Sequence, residues 1–403
     1  PLTASPHMAS ISNRFNLIPR YNWDYSIADL KKTVRAAFHQ ELKDHAKLSG
    51  IFGMEPLFTT SGRASLYAIL KALNLPGGSG VGVPLFCCPV VFETIKASGL
   101  KPIFIDIDLD TYNLAPHDLT KKCAKLEAVI AVDMFGHPAD TDAIANACGT
   151  LPIIEDCAQS LFSTYKGILS GSRTLVSFFS FRSGKYISAG EGSAIFCTDP
   201  SLRESLQRTL ETFTKWPLHQ EMSHCFATYI KSLLYHRPWY GLIGRPIGTI
   251  LDKKMNLTAK IGVELRKISK SDYCIINDRI GDFPDRVEEQ RKRAFYLLER
   301  IRLNKVVLPT ERPECRSNYY QFAIRFTTAE ARDNAALRLA DQGIDSAKYL
   351  DDVVEDATRV YGYDGGCPNA ELCSKTVLVV PNYYTLSIAD MDRIANAINN
   401  IDQ

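Results

Sequence analysis

Three short stretches of this 403-residue chain combine residue types that can do chemistry. In TTSGRASL, small hydroxyls and Gly62 lead straight into a helical pattern. Free backbone N–H groups at a helix start favour an anion, and a glycine allows close approach. Ser61 can equally be only the helix N-cap, the commoner role for such a residue. In IIEDCAQS, an apolar run ends on Glu155 and Asp156, and the carboxyl end of a strand is where ligands bind in parallel α/β sheets. An extended backbone sends these two carboxylates to opposite faces, so only one can face a ligand. An ordinary loop acid at the surface is the alternative. In SFFSFRSGKYISAGEGSAIF, Lys185 sits in a serine- and glycine-rich turn between two apolar, strand-like runs. A lysine partly desolvated in such a turn becomes neutral and nucleophilic at working pH. Taken alone, the same stretch also reads as a hairpin carrying a solvated lysine.

The order of the three is more informative than any one of them. An anion-binding helix start, a strand-end acid and an amine are the parts that pyridoxal 5'-phosphate needs. Its phosphate wants a helix N-terminus, its ring nitrogen an acid, and its aldehyde an amine for a Schiff base. The acid keeps the ring nitrogen protonated and so makes the ring an electron sink.

The elements that must hold these residues follow from periodicity. SGRASLYAILKALNL places Leu66, Ile69, Leu70 and Leu73 at helical spacing. VGVPLF reads as a strand and VVFETIKASG as a helix closed by Gly99. KPIFIDID, EAVIAVDMF and LPIIEDC read as buried strands, with a helix in DTDAIANACG before the last. The alternation predicts an α/β fold with a mainly parallel sheet and helices on both faces. Residues 211–258 change character, being aromatic, basic and broken by Pro238 and Pro246. Packing on the core is the favoured reading there, ahead of a partner interface or a membrane surface. The run from Ile261 to Ile301 predicts one long amphipathic helix linking two domains. After Val306, YYQFAIRF, AEARDNAALRLADQG, TVLVVP and IADMDRIANAINNI predict a smaller C-terminal α+β domain. The expected division is a tag and N-terminal arm at 1–16, with PLTASPHMAS a remnant of expression and Met8 the start, then a large cofactor domain at 17–258. A linking helix at 259–305 and a small domain at 306–403 complete it. PRYNWDYSIADL, from Pro19 to Leu30, carries no motif.

Composition narrows the class. With 45% hydrophobic and 23% charged residues the chain can bury a sizeable core. A formal charge of +2 predicts no nucleic-acid partner. The eleven cysteines are scattered, without a CxxC pair, and no metal is expected. Without a secretory leader they read as reduced thiols of a cytoplasmic protein. No stretch has the uninterrupted apolar length of a membrane span.

TSGRASL, PIFIDIDLDTYNL, FGHPADTDAI, IIEDCAQS, SFFSF with its lysine, and GEGSAIF together resemble the DegT/DnrJ/EryC1/StrS sugar aminotransferases, enzymes of PLP-dependent fold type I. The resemblance runs in order from Phe58 to Asp199 and returns more loosely in CPNAELCSKTVLVVPNYYTLSIADMDRI. It implies that Lys185 is the Schiff-base lysine and moves the proton between substrate and cofactor. It implies Asp156 as the acid on the ring nitrogen with Glu155 in support, Gln159 near the phenolic oxygen, and Ser180 at the phosphate. Gly62 and Arg63 stand where the family has Gly-Thr at the phosphate, next to Ser61. Cys88 stands where an aromatic ring usually covers the cofactor, and Phe86 is close enough in sequence to substitute. Arg182 replaces a common histidine. The asparagine-rich segment a partner often lends to the phosphate is not recognisable, and Asn256 is the nearest candidate. Relatives with histidine in place of the lysine are dehydratases or deoxygenases, so Lys185 favours amino transfer. The implied activity moves an amino group from glutamate or glutamine to a nucleotide-linked keto-sugar, through pyridoxamine 5'-phosphate, in a homodimer. A cyclitol ketone or another non-sugar substrate, or a non-catalytic regulatory relative, are the alternatives.

Overall fold

A computed structural model describes residues 11–38, 45–248 and 262–401. The expected tag with Met8, and Asn256, lie outside the described residues. The central sheet is built from β1 (Leu57–Thr59), β2 (Gly80–Pro84), β3 (Lys101–Ile105), β4 (Leu126–Val132) and β5 (Ile153–Asp156). Two short strands follow, β6 (Thr164–Tyr165) and β7 (Ile168–Leu169), before β8 (Val176–Ser180) and β9 (Ser193–Cys197) return to it. Its order is β1-β9-β8-β5-β4-β2-β3. β3, β2, β4, β5 and β8 run parallel, and β9 and β1 close one edge antiparallel.

Side-chain alternation explains why both faces are covered. Along β4, Ala128, Ile130 and Val132 join a core with Leu66, Ile69, Phe92 and Ile95 from the helices Gly62–Ala72 and Pro89–Ala97. Val129 and Ala131 face the other way, onto Leu119 and Ile144 of Pro116–Lys122 and Thr141–Cys148. A strand buried on both faces loses its polar alternation, which is what the apolar runs displayed. The backbones approach closely at Gly80, where a Cβ would stand 2.2 Å from the Lys125 carbonyl oxygen, at the point where the β2–β4 register shifts.

The C-terminal part holds β10 (Val306–Val307), β11 (Cys315–Arg316), β12 (Phe322–Phe326), β13 (Ala347–Lys348) and β14 (Val377–Val380). β10-β12-β14-β13 form an antiparallel sheet, and β11 pairs with β6 of the large part. The helices Ala329–Asp341 and Ile388–Asn399 pack on it, as does Phe283–Arg300 through Ala294 and Leu297.

The single linking helix is corrected. Residues 262–269 are not helical, and the rest divides into Lys270–Arg279 and Phe283–Arg300 around a short 3-10 turn at Ile280–Asp282. Gly281 and Pro284 sit at the break, and a proline without an N–H is accepted in the first turn of a helix but not within one. In the 211–258 region the helix Leu218–Leu234 packs Cys225, Thr228 and Ser232 inward, beside the helix Ile27–Phe38. Its outer stripe leaves Phe226, Ile230 and Leu233 exposed. Among the described residues no helix is long and apolar enough to cross a membrane.

Candidate active site

A cavity of about 200 Å³ opens at the carboxyl ends of the central strands. Val132 closes β4, Asp156 closes β5 and Ser180 closes β8, while Cys88 follows β2 as the N-cap of Pro89–Ala97. The start of Gly62–Ala72 completes the wall with Ser61, Gly62 and Arg63. Ser61 is the cap of that helix, its Oγ accepting the Ala64 N–H at 3.2 Å. A Cβ on Gly62 would touch the Phe178 ring at 3.4 Å and the Ser180 Cβ at 3.6 Å, so the helix start lies against β8.

Lys185 hangs from the loop between β8 and β9 into the same cavity as Asp156. The loop is pinned by Lys185 N–H donating to the Arg182 carbonyl at 2.9 Å and by Gly184 N–H donating to Ser188 Oγ at 3.1 Å. Burial pushes the Lys185 amine down to about 8, and the Asp156 charge opposes that shift. Burial also pushes the Asp156 carboxyl up to about 6, resisted by the Ala158 N–H that it accepts at 3.0 Å and by Lys185. Acid and amine therefore change charge close to neutrality, each responding to the other.

Glu155 takes the opposite face of β5, as the period of two requires. It is fully buried and receives a hydrogen bond from the Arg173 guanidinium, which also reaches Asp133 at 3.3 Å. Gln159 is held by three contacts: its Oε1 accepts the Phe135 N–H at 3.1 Å, and its Nε2 donates to Tyr349 Oη at 3.2 Å and to Met134 Sδ at 3.5 Å.

Of the nine residues expected to contact the cofactor, eight line this cavity: Ser61, Gly62, Arg63, Cys88, Asp156, Gln159, Ser180 and Lys185. Phe86 is the correction. Cys87 N–H donates to the Leu85 carbonyl at 2.9 Å, a tight turn after β2 that buries Phe86 among Tyr112, Phe135 and Tyr349.

Arg182, which stands in place of a common histidine, also lines the cavity at the start of the Lys185 loop. Tyr349, after β13, and Glu191, at the end of that loop, had no sequence signal. A smaller adjoining cavity shares Lys185 and is lined by Arg20, Tyr21, Asn22, Tyr320 and Tyr384. The motif-free N-terminal stretch reaches it because Ile18 bridges to Ile344 and Arg20 pairs with Asp345 at 2.7 Å.

These donors suit a phosphorylated pyridine aldehyde. A helix start, two serines and an Arg63 Nη1 that is buried without a hydrogen-bond partner stand together in the cavity with an acid and an amine of lowered basicity.

A family model described as the DegT/DnrJ/EryC1/StrS aminotransferase family matches residues 37–399. The chain is 27% identical to a GDP-perosamine synthase of Escherichia coli O157:H7 over 71% of this chain and 69% of that one. It is 25% identical to a dTDP-4-dehydro-2,3,6-trideoxy-D-glucose 4-aminotransferase of Saccharopolyspora spinosa over 87% and 86%. The crystal structure of the aminotransferase TlmJ from Streptoalloteichus hindustanus superposes with a TM-score of 0.77 at 20% identity, covering 96% of this chain and 98% of that one.

Proposed function

We propose, for a chain that belongs to the DegT/DnrJ/EryC1/StrS aminotransferase family, that the Lys185 cavity transfers an amino group from glutamate or glutamine to a nucleotide-linked keto-sugar. The chain is a PLP-dependent aminotransferase. Support for the sugar comes from the two relatives named above, whose names are those of enzymes of nucleotide-linked sugars. The observation that carries the reading is the joint placement of Lys185 and Asp156 in one cavity, with their charges coupled.

When bound, pyridoxal phosphate supplies an aldehyde carbon and a ring that takes up the electron pair released at the substrate carbon. The chain's own residues divide the remaining work. Lys185 offers the neutral amine and carries the proton to and from the substrate carbon. Asp156 holds the proton on the ring nitrogen. Gln159, its amide fixed by Phe135 and Tyr349, would offer a polar contact to the bound group. Ser61, Gly62, Arg63 and Ser180 line the end suited to phosphate. Donor and acceptor use the same site in turn, so the kinetics are ping-pong.

A homodimer fits this reading, since fold-type I enzymes usually place the active site at a subunit interface. The exposed Phe226, Ile230 and Leu233 stripe supplies apolar surface for such a contact. A monomer that retains full activity would refute it. For the function itself, glutamate or glutamine added to the cofactor-loaded protein should bleach its visible absorbance, and a keto-sugar should restore it. Turnover of cyclitol ketones alone would replace the sugar assignment.

A further inference from the structure

Resting on the cofactor reading above, we infer that Arg63 and Arg182 form a two-guanidinium clamp for the cofactor's phosphate, so that one chain supplies the counter-charge. Arg63 is the second residue of the helix Gly62–Ala72, and Arg182 comes two residues after the last of β8. Both line the cavity together with Ser61 and Ser180. Arg63 is half-buried and Arg182 exposed, and among the described residues neither guanidinium has a carboxylate in an ion pair. The Nη1 of Arg63 is enclosed and makes no hydrogen bond. A buried donor left unpaired is costly, and an incoming anion would pair it. A phosphate monoester carries a charge of about −1.5 to −2 near pH 7, matched by two guanidiniums whose planar forks suit its oxygens.

Glu191 lines the same end and tempers the positive charge. Burial pushes its carboxyl up, and Arg182 and Arg63 oppose the shift. The turn that carries it is fixed from behind by the helix Leu218–Leu234. A Cβ on Gly190 would stand 2.8 Å from His224 Nε2 and 2.9 Å from Thr228 Oγ1 of that helix. The segment that departs from the rest of the chain in composition thus backs the wall of the anion end.

The full chain, dialysed free of cofactor, is titrated by absorbance with pyridoxal phosphate and separately with pyridoxal. The ratio of the two affinities isolates the phosphate contacts. Arg63→Ala and Arg182→Ala should each lower that ratio roughly ten- to hundredfold, the range for a hydrogen bond to a charged group, while pyridoxal binding persists. Arg63→Lys and Arg182→Lys should keep part of the ratio, because charge remains when the fork is lost. An unchanged ratio in both alanine variants overturns the clamp and leaves the cofactor reading standing. A wild-type chain that binds neither compound overturns both.

Discussion

The Lys185 Nζ stands 4.9 Å from the centre of the Tyr320 ring, and the Tyr320 hydroxyl donates to the Gly184 carbonyl at 2.7 Å. The ring thus belongs to the C-terminal part while its hydroxyl is tied to the backbone beside the lysine. A ring face stabilises the charged amine by about 0.5–1 kcal/mol. Tyr320→Leu should therefore lower the amine's midpoint by roughly half a pH unit. Tyr320→Phe keeps the ring and should leave the midpoint in place. The pH dependence of covalent attachment of pyridoxal phosphate to Lys185, trapped with borohydride, distinguishes the two.

The midpoint itself is a prediction. With the Lys185 amine at about 8, roughly one amine in ten is neutral at pH 7, against about one in three thousand at the usual lysine value. Attachment to the cofactor-free chain should accelerate as pH rises through 8 and level off above 9. Asp156, pushed up to about 6, becomes anionic as pH rises through 6. Asp156→Asn should remove the charge that holds the amine's value up, moving the midpoint below 8, and should lower turnover about 10²–10⁴-fold. Stopped-flow attachment and steady-state rates measure the two effects. A rate still climbing past pH 10 in the wild type would sink the account.

How much of this site could be read beforehand depended on whether a residue broke a pattern. Lys185 and Asp156 did, because each ended or interrupted an apolar run within a buried sheet. Arg63 on the helix Gly62–Ala72 and Ser180 at the end of β8 were legible only through the family resemblance. Tyr320 and Tyr349 left no mark, since an aromatic residue near a strand reads as core until tertiary packing turns it toward a cavity. Arg20 and Tyr21 arrive through the bridge of Ile18 to Ile344, a pairing across most of the chain that no local pattern encodes. Phe86 was misplaced for the opposite reason. Nearness to Cys88 in sequence makes it a candidate substitute, but the tight turn at Leu85–Cys87 buries its ring away from the cavity. The main sheet was legible because its parallel strands are apolar on both faces. The helix break at 280–282 was carried by Gly281 and Pro284, which a reading dominated by amphipathic period passes over.

The Lys185 loop should be sensitive to its glycines in an unequal way. Gly190 has φ +121°, and a Cβ there would meet Asp272 Oδ1 at 2.8 Å as well as His224 and Thr228. Gly184 has φ +86° but open space around it. Gly184→Ala should cost only backbone strain, about 1–2 kcal/mol. Gly190→Ala adds displacement of the hydrogen-bonded His224–Asp272 pair at 2.8 Å and should cost roughly 3 kcal/mol or more. Urea midpoints of the two variants give the comparison, and equal losses would show that the packing behind the turn yields freely.

Behind the site, the Arg173 side chain is 3% exposed and serves both Asp133 and Glu155, each fully buried. One guanidinium facing two carboxylates leaves a net negative charge in the interior, and burial with the Asp133 charge beside it raises the Glu155 carboxyl. Arg173→Leu removes the attraction that opposes this rise, so the folded-state value of Glu155 must climb further. A carboxylate raised on folding destabilises the native state above its unfolded value, and the penalty fades as pH falls through the folded value. The variant should lose about 3–5 kcal/mol near pH 8, the cost of stranding buried charge. Near pH 5 the deficit should shrink, because the stranded carboxyls take up protons. Denaturant titrations of wild type and variant at the two pH values test the sign, and a deficit that grew on acidification would show that Arg173 matters through packing and not through charge.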